Sequence, residues 1–286
     1  MEYPPIIIVG MHRSGTSLLS RVLQKCGIFM GASRDPNNES FFFLELNDWL
    51  LAQTNATWDN PYNFRFIDDT FKETLIKAVK ISISSFRILK FLGIRRFLKY
   101  RKLDNLPFLW GWKDPRNSIT LNIWSEIFPQ AKIIHIYRNP VDVAESLRKR
   151  VLKNKNNFRW NYKHTIKSMF AKGKLNFVDS VRLQFLEEGF KLWEEYLSSI
   201  YDFEKRSDKR ILHLKYEEFL ENPDSTIETI LNYFNISVDK DRVKEAVALI
   251  NTSRSYAFLS NKHLVKFYEN IKEKPLVRKL GYHNLC

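Results

Sequence analysis

Residues 4–27, PPIIIVGMHRSGTSLLSRVLQKCG, constrain this chain more than any other stretch. Ile6–Val9 is a short run of β-branched residues that reads as a buried strand. Gly10 and Gly15 bracket a turn. After it, Leu18, Leu19, Val22 and Leu23 fall on one face of a helix over Thr16–Cys26, and Gly27 supplies a stop signal. A strand that runs through a glycine loop into a helix gathers several backbone N–H groups and a helix N-terminus at one point, and both attract anionic oxygens. Ser14, Thr16 and Ser17 add hydroxyl donors, and Arg13 adds a fork-shaped cation. The plainer alternative is a turn capped by Ser14 or Thr16. The Gly10 to Gly15 spacing is that of the nucleoside-triphosphate loop G-x-x-x-x-G-K-[ST], but Thr16 stands where the lysine belongs. That lysine reaches the β- and γ-phosphates together with Mg²⁺. Its absence makes ATP a poor match and favours a short terminal anionic group that needs no metal.

Three further runs read as buried strands: Phe108–Trp112, Lys132–Tyr137 and Arg210–Leu214. Helical patterns lie between them, with Val141, Ala144, Leu147 and Val151 in phase over 141–152. Over 180–205 the pattern places Val181, Phe185, Leu192, Leu197 and Ile200 on one face. Strands alternating with helices predict an α/β fold, a P-loop-like three-layer sandwich with a central parallel sheet flanked by helices. No repeat, low-complexity tract or Pro/Gly/Ser linker divides the chain, so one domain over 1–286 is expected.

In such a sheet, ligands sit beyond the carboxyl ends of the strands. The loops there read GMHRSGTS, KDPR, RNPVD and KYEEF. Arg138 directly follows the third strand. Ser146 comes eight residues later and Arg150 four further on, so these two share a helix face. Three such groups suit a second phosphate.

The two loops together resemble the sulfotransferases that use 3′-phosphoadenosine 5′-phosphosulfate (PAPS). That family has a strand–loop–helix motif of the form P-[RK]-S-G-T for the 5′-phosphosulfate, and a strand–Arg–x₇–Ser motif for the 3′-phosphate. HRSGTS (12–17) and YRNPVDVAES (137–146) match both, in the family's order and spacing. The resemblance covers the framework from about residue 4 to 234 and says least about helical or loop insertions at about 60–105 and 150–178. It implies that the backbone of Arg13, Ser14, Gly15, Thr16 and Ser17 binds the 5′-phosphate, with the Arg13 side chain close to the sulfonate. It implies that Arg138, Ser146 and Arg150 hold the 3′-phosphate and that Tyr216, in LKYEEFLENP, lies near the nucleotide. WKDPR (112–116) resembles the K-D-P segment of the tyrosyl-protein branch and of bacterial members. There Lys113 faces the bridging oxygen on which charge gathers as the S–O bond breaks. The general base implied is Glu39 in DPNNESFFF, with Glu45, Asp48, His12, Asp35 and Asp114 as rivals.

The expectation is sulfonate transfer to an acceptor hydroxyl on a carbohydrate or lipid-linked glycan, with PAPS as donor and no metal. A P-loop kinase would need its lysine from elsewhere and a Mg²⁺ carboxylate, for which Asp114 is the one well-placed candidate. A non-enzymatic binder of polyanions is the other alternative. The net charge of +14 calls for an anionic partner. Residues 74–103 and 146–178 contain no Asp or Glu and hold 19 of the 46 basic residues. Aromatics such as Phe158, Trp160 and Tyr162 lie among them. These stretches are expected to flank the acceptor cleft or to touch an anionic membrane, while a nucleic-acid partner is not expected. Apolar runs fall short of the ~20 residues a spanning helix needs, and the N-terminal run is too short and strand-like for a signal peptide. Cys26 and Cys286 are the two cysteines. No structural disulfide or zinc site is expected of them, and a cytoplasmic location fits.

Overall fold

The computed structural model describes residues 3–157, 162–170, 178–251 and 255–285. Phe158, Trp160 and Cys286 therefore lie outside the described residues. The elements run β1 (Ile6–Val9), α1 (Thr16–Lys25), α2 (Phe41–Ala52), α3 (Asp69–Ser84), α4 (Leu89–Tyr100), β2 (Gly111–Lys113), α5 (Asn117–Ile127) and β3 (Lys132–Tyr137). There follow α6 (Pro140–Asn157), α7 (Tyr162–Phe170), α8 (Leu186–Arg206), β4 (Ile211–Lys215), α9 (Tyr216–Glu221) and α10 (Pro223–Phe234). The last helices are α11 (Lys240–Val247), α12 (Lys262–Ile271) and α13 (Pro275–Lys279).

Contacts gather into two compact units: Met1–Asn139 with Glu195–Ala257, and Pro140–Glu194 with Phe258–Cys286. The first unit holds the sheet, which is parallel throughout in the order β2-β1-β3-β4. β1 alternates between two apolar layers, as the two-residue period of a strand requires. Ile7 and Val9 enter one core with Trp112, Trp124, Phe43 and Phe91. Ile6 and Ile8 enter the other with Leu19, Val22, Ile134, Ile136 and Phe219. Both faces are thus covered, which makes the three layers that the alternating pattern predicts. In the first core the Phe43 and Trp112 rings stack at 4.0 Å and 6°. The Trp112 indole N–H finds Asn117 Oδ1 at 3.0 Å, so its one polar atom is paired inside the core.

Two helix ends follow from their sequences. Gly27, at φ 91°, closes α1: its N–H reaches Gln24 O, and the N–H of Ile28 reaches Leu23 O. Asn235, at φ 55°, closes α10 with the same pair of bonds, to Asn232 and Leu231. This is the Schellman arrangement, which needs a residue tolerant of left-handed backbone.

The second unit packs α6 by the face read from the sequence, with Val141, Ala144, Leu147 and Val151 buried. Gly189 approaches Ala144 so closely that an added Cβ would stand 3.0 Å from it. Asp142 accepts the backbone N–H of Phe258 at 2.9 Å. The expected helix over 180–205 is corrected at its start. A 3₁₀ turn occupies Arg182–Gln184, Phe185 is extended, and α8 begins at Leu186. The break shifts the helical phase, so Val181 and Phe185 are exposed while Leu183 and Leu186 are buried.

One partly buried polar pair sits between neighbouring strands. His135 of β3 and His213 of β4 are cross-strand partners, with their Nδ1 atoms 2.9 Å apart. Tyr201 stacks on His213, and Glu204 lies 3.0 Å from His213 Nε2. Tyr137 also lies beside His135. Burial first, and His213 second, hold the His135 imidazole well below 6.5. In the unfolded chain the ring takes up a proton near its ordinary value, whereas in the folded chain it does not. The unfolded state therefore binds more protons, and this group's contribution to stability falls as pH drops below about 6.5, by about 1.4 kcal/mol per pH unit. Urea unfolding of wild type and His135→Gln across that range is expected to show the gap shifting against the wild type as pH falls. A gap independent of pH would contradict it.

Candidate active site

The sheet order reverses between β1 and β3, and ligands of open parallel sheets sit outside the strand ends at such a point. The loop after β1 is shaped by two close approaches. Gly10, at φ 145°, donates its N–H to Ser118 Oγ at 2.9 Å, and an added Cβ would stand 2.3 Å from Ile136 O. Gly15, at φ 97°, caps α1, and an added Cβ would stand 2.3 Å from the Tyr216 ring. Arg13 takes up left-handed backbone at φ 70° and is exposed. Thr16 is buried and opens α1, and Ser17 follows it on the same first turn. Ser14 Oγ is buried and has no hydrogen-bond partner among the described residues. A buried hydroxyl left unpaired costs about 1–3 kcal/mol. The loop therefore fits a group that brings acceptor oxygens to the N-terminus of α1, and an anionic ligand is the chemistry that does so.

Lys113 ends β2 at the level of Ile8 in β1, so the sheet register carries it to the loop. Its Nζ lies 3.3 Å from Ser17 Oγ and 3.0 Å from Glu39 Oε1. Lys113 and Glu39 are both buried. Glu39 is presented by a loop that Asp35 builds. Asp35 Oδ1 accepts the N–H of Asn37 at 2.9 Å and of Glu39 at 2.7 Å, and the N–H of Asp35 returns to Glu39 O. Asn38 takes the left-handed backbone that the turn requires. Asp35 is thus a loop former. Burial first and Asp114 second push the Glu39 carboxyl above its ordinary range, against the pull of Lys113 and Arg116.

Arg116 joins the carboxylates. Its guanidinium lies 2.9 Å from Asp114 Oδ1, 2.7 Å from Asp48 Oδ1 and 3.6 Å from Glu39 Oε2. Burial works against its charge, but Asp114, Asp48 and Glu39 outweigh it and hold it protonated. Asp114 also receives Asn47 Nδ2 at 3.0 Å and the Arg116 N–H. Its oxygens are thus engaged by protein donors. The other rivals of Glu39 have structural settings too. Glu45 pairs with Lys90 at 2.6 Å on the surface, and the His12 ring packs among Trp58 and Tyr196.

Arg138 leaves β3 with its guanidinium 4.7 Å above the Tyr216 ring. Tyr216 opens α9 directly after β4 and so touches both Gly15 and Arg138. The next residue, Glu217, accepts the N–H of Asn139 at 2.9 Å and fixes the chain after Arg138. The first unit thus brings together the loop, Lys113, Glu39, Arg138 and Tyr216. Ser146 and Arg150 lie on α6 in the second unit, one helical turn apart, and Arg150 pairs with Asp179 at 2.6 Å. Arg116, Asn47, Ser118 and Glu217 had no place in the sequence reading of the site, and Asp48, a rival base there, is instead a partner of Arg116. KDPR and KYEEF contain two of them, but nothing in the strings distinguishes a buried organiser from a turn residue.

A glycine loop at the switch point of a parallel α/β fold, with a buried cation beside it, is an arrangement suited to an anionic ligand. Residues 4–240 match the model of the Sulfotransferase family, and the chain belongs to that family. No curated protein sequence matches it. Similar solved structures include the sulfotransferase domain from the curacin biosynthetic pathway (17% identity, 88% of this chain and 80% of that one, TM-score 0.47). Another is sulfotransferase STF9 from Mycobacterium avium (15% identity, 94% and 76%, TM-score 0.45). A third is mouse sulfotransferase SULT7A1, solved with PAP (17% identity, 88% and 66%, TM-score 0.40).

Among the described residues Arg116 is the one guanidinium shared by three carboxylates, so Arg116→Leu leaves buried negative charge uncompensated. Breaking a buried pair in this way costs about 3–5 kcal/mol. Acid protonates the abandoned carboxylates, so the deficit in urea unfolding should shrink as pH falls. A small deficit that does not change with pH would show that the cluster does not depend on Arg116.

Proposed function

We propose that this family member transfers the sulfonate of PAPS to an acceptor hydroxyl, with a carbohydrate or glycolipid as acceptor class. The observation that carries the reading is the position of Lys113 Nζ, 3.3 Å from the loop at Ser17 and 3.0 Å from Glu39. One buried cation touches both the candidate anion cradle and the candidate base.

The bound donor supplies an activated sulfonate, and the S–O bond to its 5′-phosphate breaks on transfer. In this reading the loop from Arg13 to Ser17 holds the 5′-phosphate through backbone N–H groups, and Ser14 Oγ gains a partner there. Arg138, Ser146 and Arg150 hold the 3′-phosphate, and Tyr216 supports Arg138 and the loop. Lys113 is a fixed positive charge where negative charge develops on the leaving oxygen. Such preorganised groups act without reorganisation cost at the moment of reaction. Glu39 takes the acceptor proton. Its raised pKa makes it a stronger base than an exposed carboxylate. A cytoplasmic setting fits the cysteine usage, and a lipid-linked acceptor would be met at a membrane surface. Among the described residues no helix is long and apolar enough to cross a membrane.

The 3′-phosphate separates PAP, the product nucleotide, from AMP. Arg138→Ala should weaken PAP binding by about 1.5–3 kcal/mol while AMP binding changes little. Equal losses in calorimetric titrations would remove Arg138 from the 3′ site. In labelled-sulfonate transfer assays, Lys113→Ala should lower kcat about a hundred- to a thousandfold. Wild-type kcat should fall in acid as Glu39 takes up a proton, and that limb should vanish in the residual activity of Glu39→Gln. A Glu39→Gln enzyme with wild-type turnover and the same limb would exclude Glu39 as the base.

A further inference from the structure

Helices α3 and α4 are joined through a short turn, and this corner carries apolar side chains that face water. α3 ends at Ser84, Ser85 turns the chain in extended backbone, and a 3₁₀ turn at Phe86–Ile88 leads into α4. The inner side is anchored by Leu75, Val79, Ile88, Phe91 and Leu92, all buried in the core. The outer side exposes Ile81 by 72%, Phe86 by 78%, Ile94 by 69% and Leu98 by 61%. Gly93 leaves helical backbone at φ 72° and ψ 161°. Ile94 and Leu98 follow it four residues apart and so share one helical face.

The charge carried by this segment is of one sign. Residues 74–103 hold nine Lys or Arg and no Asp or Glu. Arg87 and Lys90 turn to Glu45, at 3.7 and 2.6 Å, and Arg96 lies over the Phe29 ring at 4.3 Å. Lys80, Arg95, Lys99, Arg101 and Lys102 are exposed. Four large apolar side chains exposed within residues 81–98 are more than a scattered surface residue and suggest a place of interaction. A second copy is disfavoured as the partner, because a twofold contact would set the same cations against each other. A soluble polyanion would satisfy the cations but leave Phe86, Ile94 and Leu98 in water. An anionic bilayer satisfies both, since its headgroups attract the cations and its interface takes the apolar groups.

We propose that the α3–α4 corner docks this protein reversibly on an anionic lipid surface, with Phe86, Ile94 and Leu98 entering the interface and the exposed cations at the headgroups. The docking goes beyond sulfonate transfer and does not depend on it.

The test is sedimentation of the full chain with phosphatidylcholine vesicles, with and without phosphatidylglycerol, at low and high salt. Binding is expected to the anionic vesicles alone and to weaken with salt. Each cation near such a surface is worth about fivefold in partitioning, so Arg95→Ser with Lys99→Ser should lose about 30-fold. Phe86→Ser should lose about tenfold. Near-ultraviolet circular dichroism confirms that each variant is folded. Lys153→Ser with Lys155→Ser removes equal charge from α6 and should lose far less. An equal loss in that control would mean net charge alone, and would overturn the proposal. So would failure of the wild type to sediment, or a dimer in vesicle-free solution that Phe86→Ser abolishes. Docking without PAP binding would sink the donor reading and leave this surface standing, and the reverse result would do the opposite.

Discussion

The contact between Lys113 and Glu39 is the constraint on which the site rests. Two opposite charges 3.0 Å apart, both buried, are expensive to take out of water. The arrangement persists because its surroundings are built to satisfy it. The parallel register of β1 and β2 fixes Lys113 beside the loop. Asp35 shapes the turn that delivers Glu39. Arg116 supplies a second cation to the carboxylates, and Asn47 satisfies Asp114 from the other side while bonding Asn117. Asn117 in turn accepts from the Trp112 indole in the aromatic core. A line of bonded groups thus runs from the hydrophobic layer to the charged cluster. That is how a scaffold holds side chains within the tolerance that chemistry requires.

The same economy appears on the other side of the loop. Tyr216 occupies the space that a side chain at position 15 would need, and its ring also lies under Arg138. Glu217 then ties down the chain after Arg138. One short segment after β4 therefore shapes both the turn after β1 and the exit from β3. The glycine at 15 is a consequence of this crowding, and the glycine at 10 of the close approach of Ile136 O in β3. Their neighbours approach too closely for any Cβ, and the backbone is left-handed at both.

How much of this was legible in the sequence depends on the range of each interaction. Strands β1 and β3 have the bounds their β-branched runs predict, and β4 is displaced by one residue. The loop, the helix after it and the stop at Gly27 were legible because strand, turn and helix signals are local. The start of α8 was not, because the apolar spacing of Val181 and Phe185 continues the helical period across a turn that breaks it. The proximity of Lys113 to Glu39 spans 74 residues and rested on a family resemblance, since no local pattern encodes it. Arg116, Asn47 and Glu217 were missed for the same reason, as their roles exist only once α2, α5 and α9 are packed. The His135–His213 pair was hidden by two strands that each look ordinary, and only the register sets the rings together.

The central claim is that this loop, with Thr16 in place of lysine and with Lys113 brought from β2, suits a nucleotide bearing a 3′-phosphate and no γ-phosphate. The direct measurement is a calorimetric competition on the wild-type chain between PAP and ATP with Mg²⁺. The account predicts that PAP binds without metal, stabilises the fold by about 2.7 kcal/mol at a hundred times its Kd, and is not displaced by ATP with Mg²⁺. Tighter binding of ATP with Mg²⁺ than of PAP would contradict it.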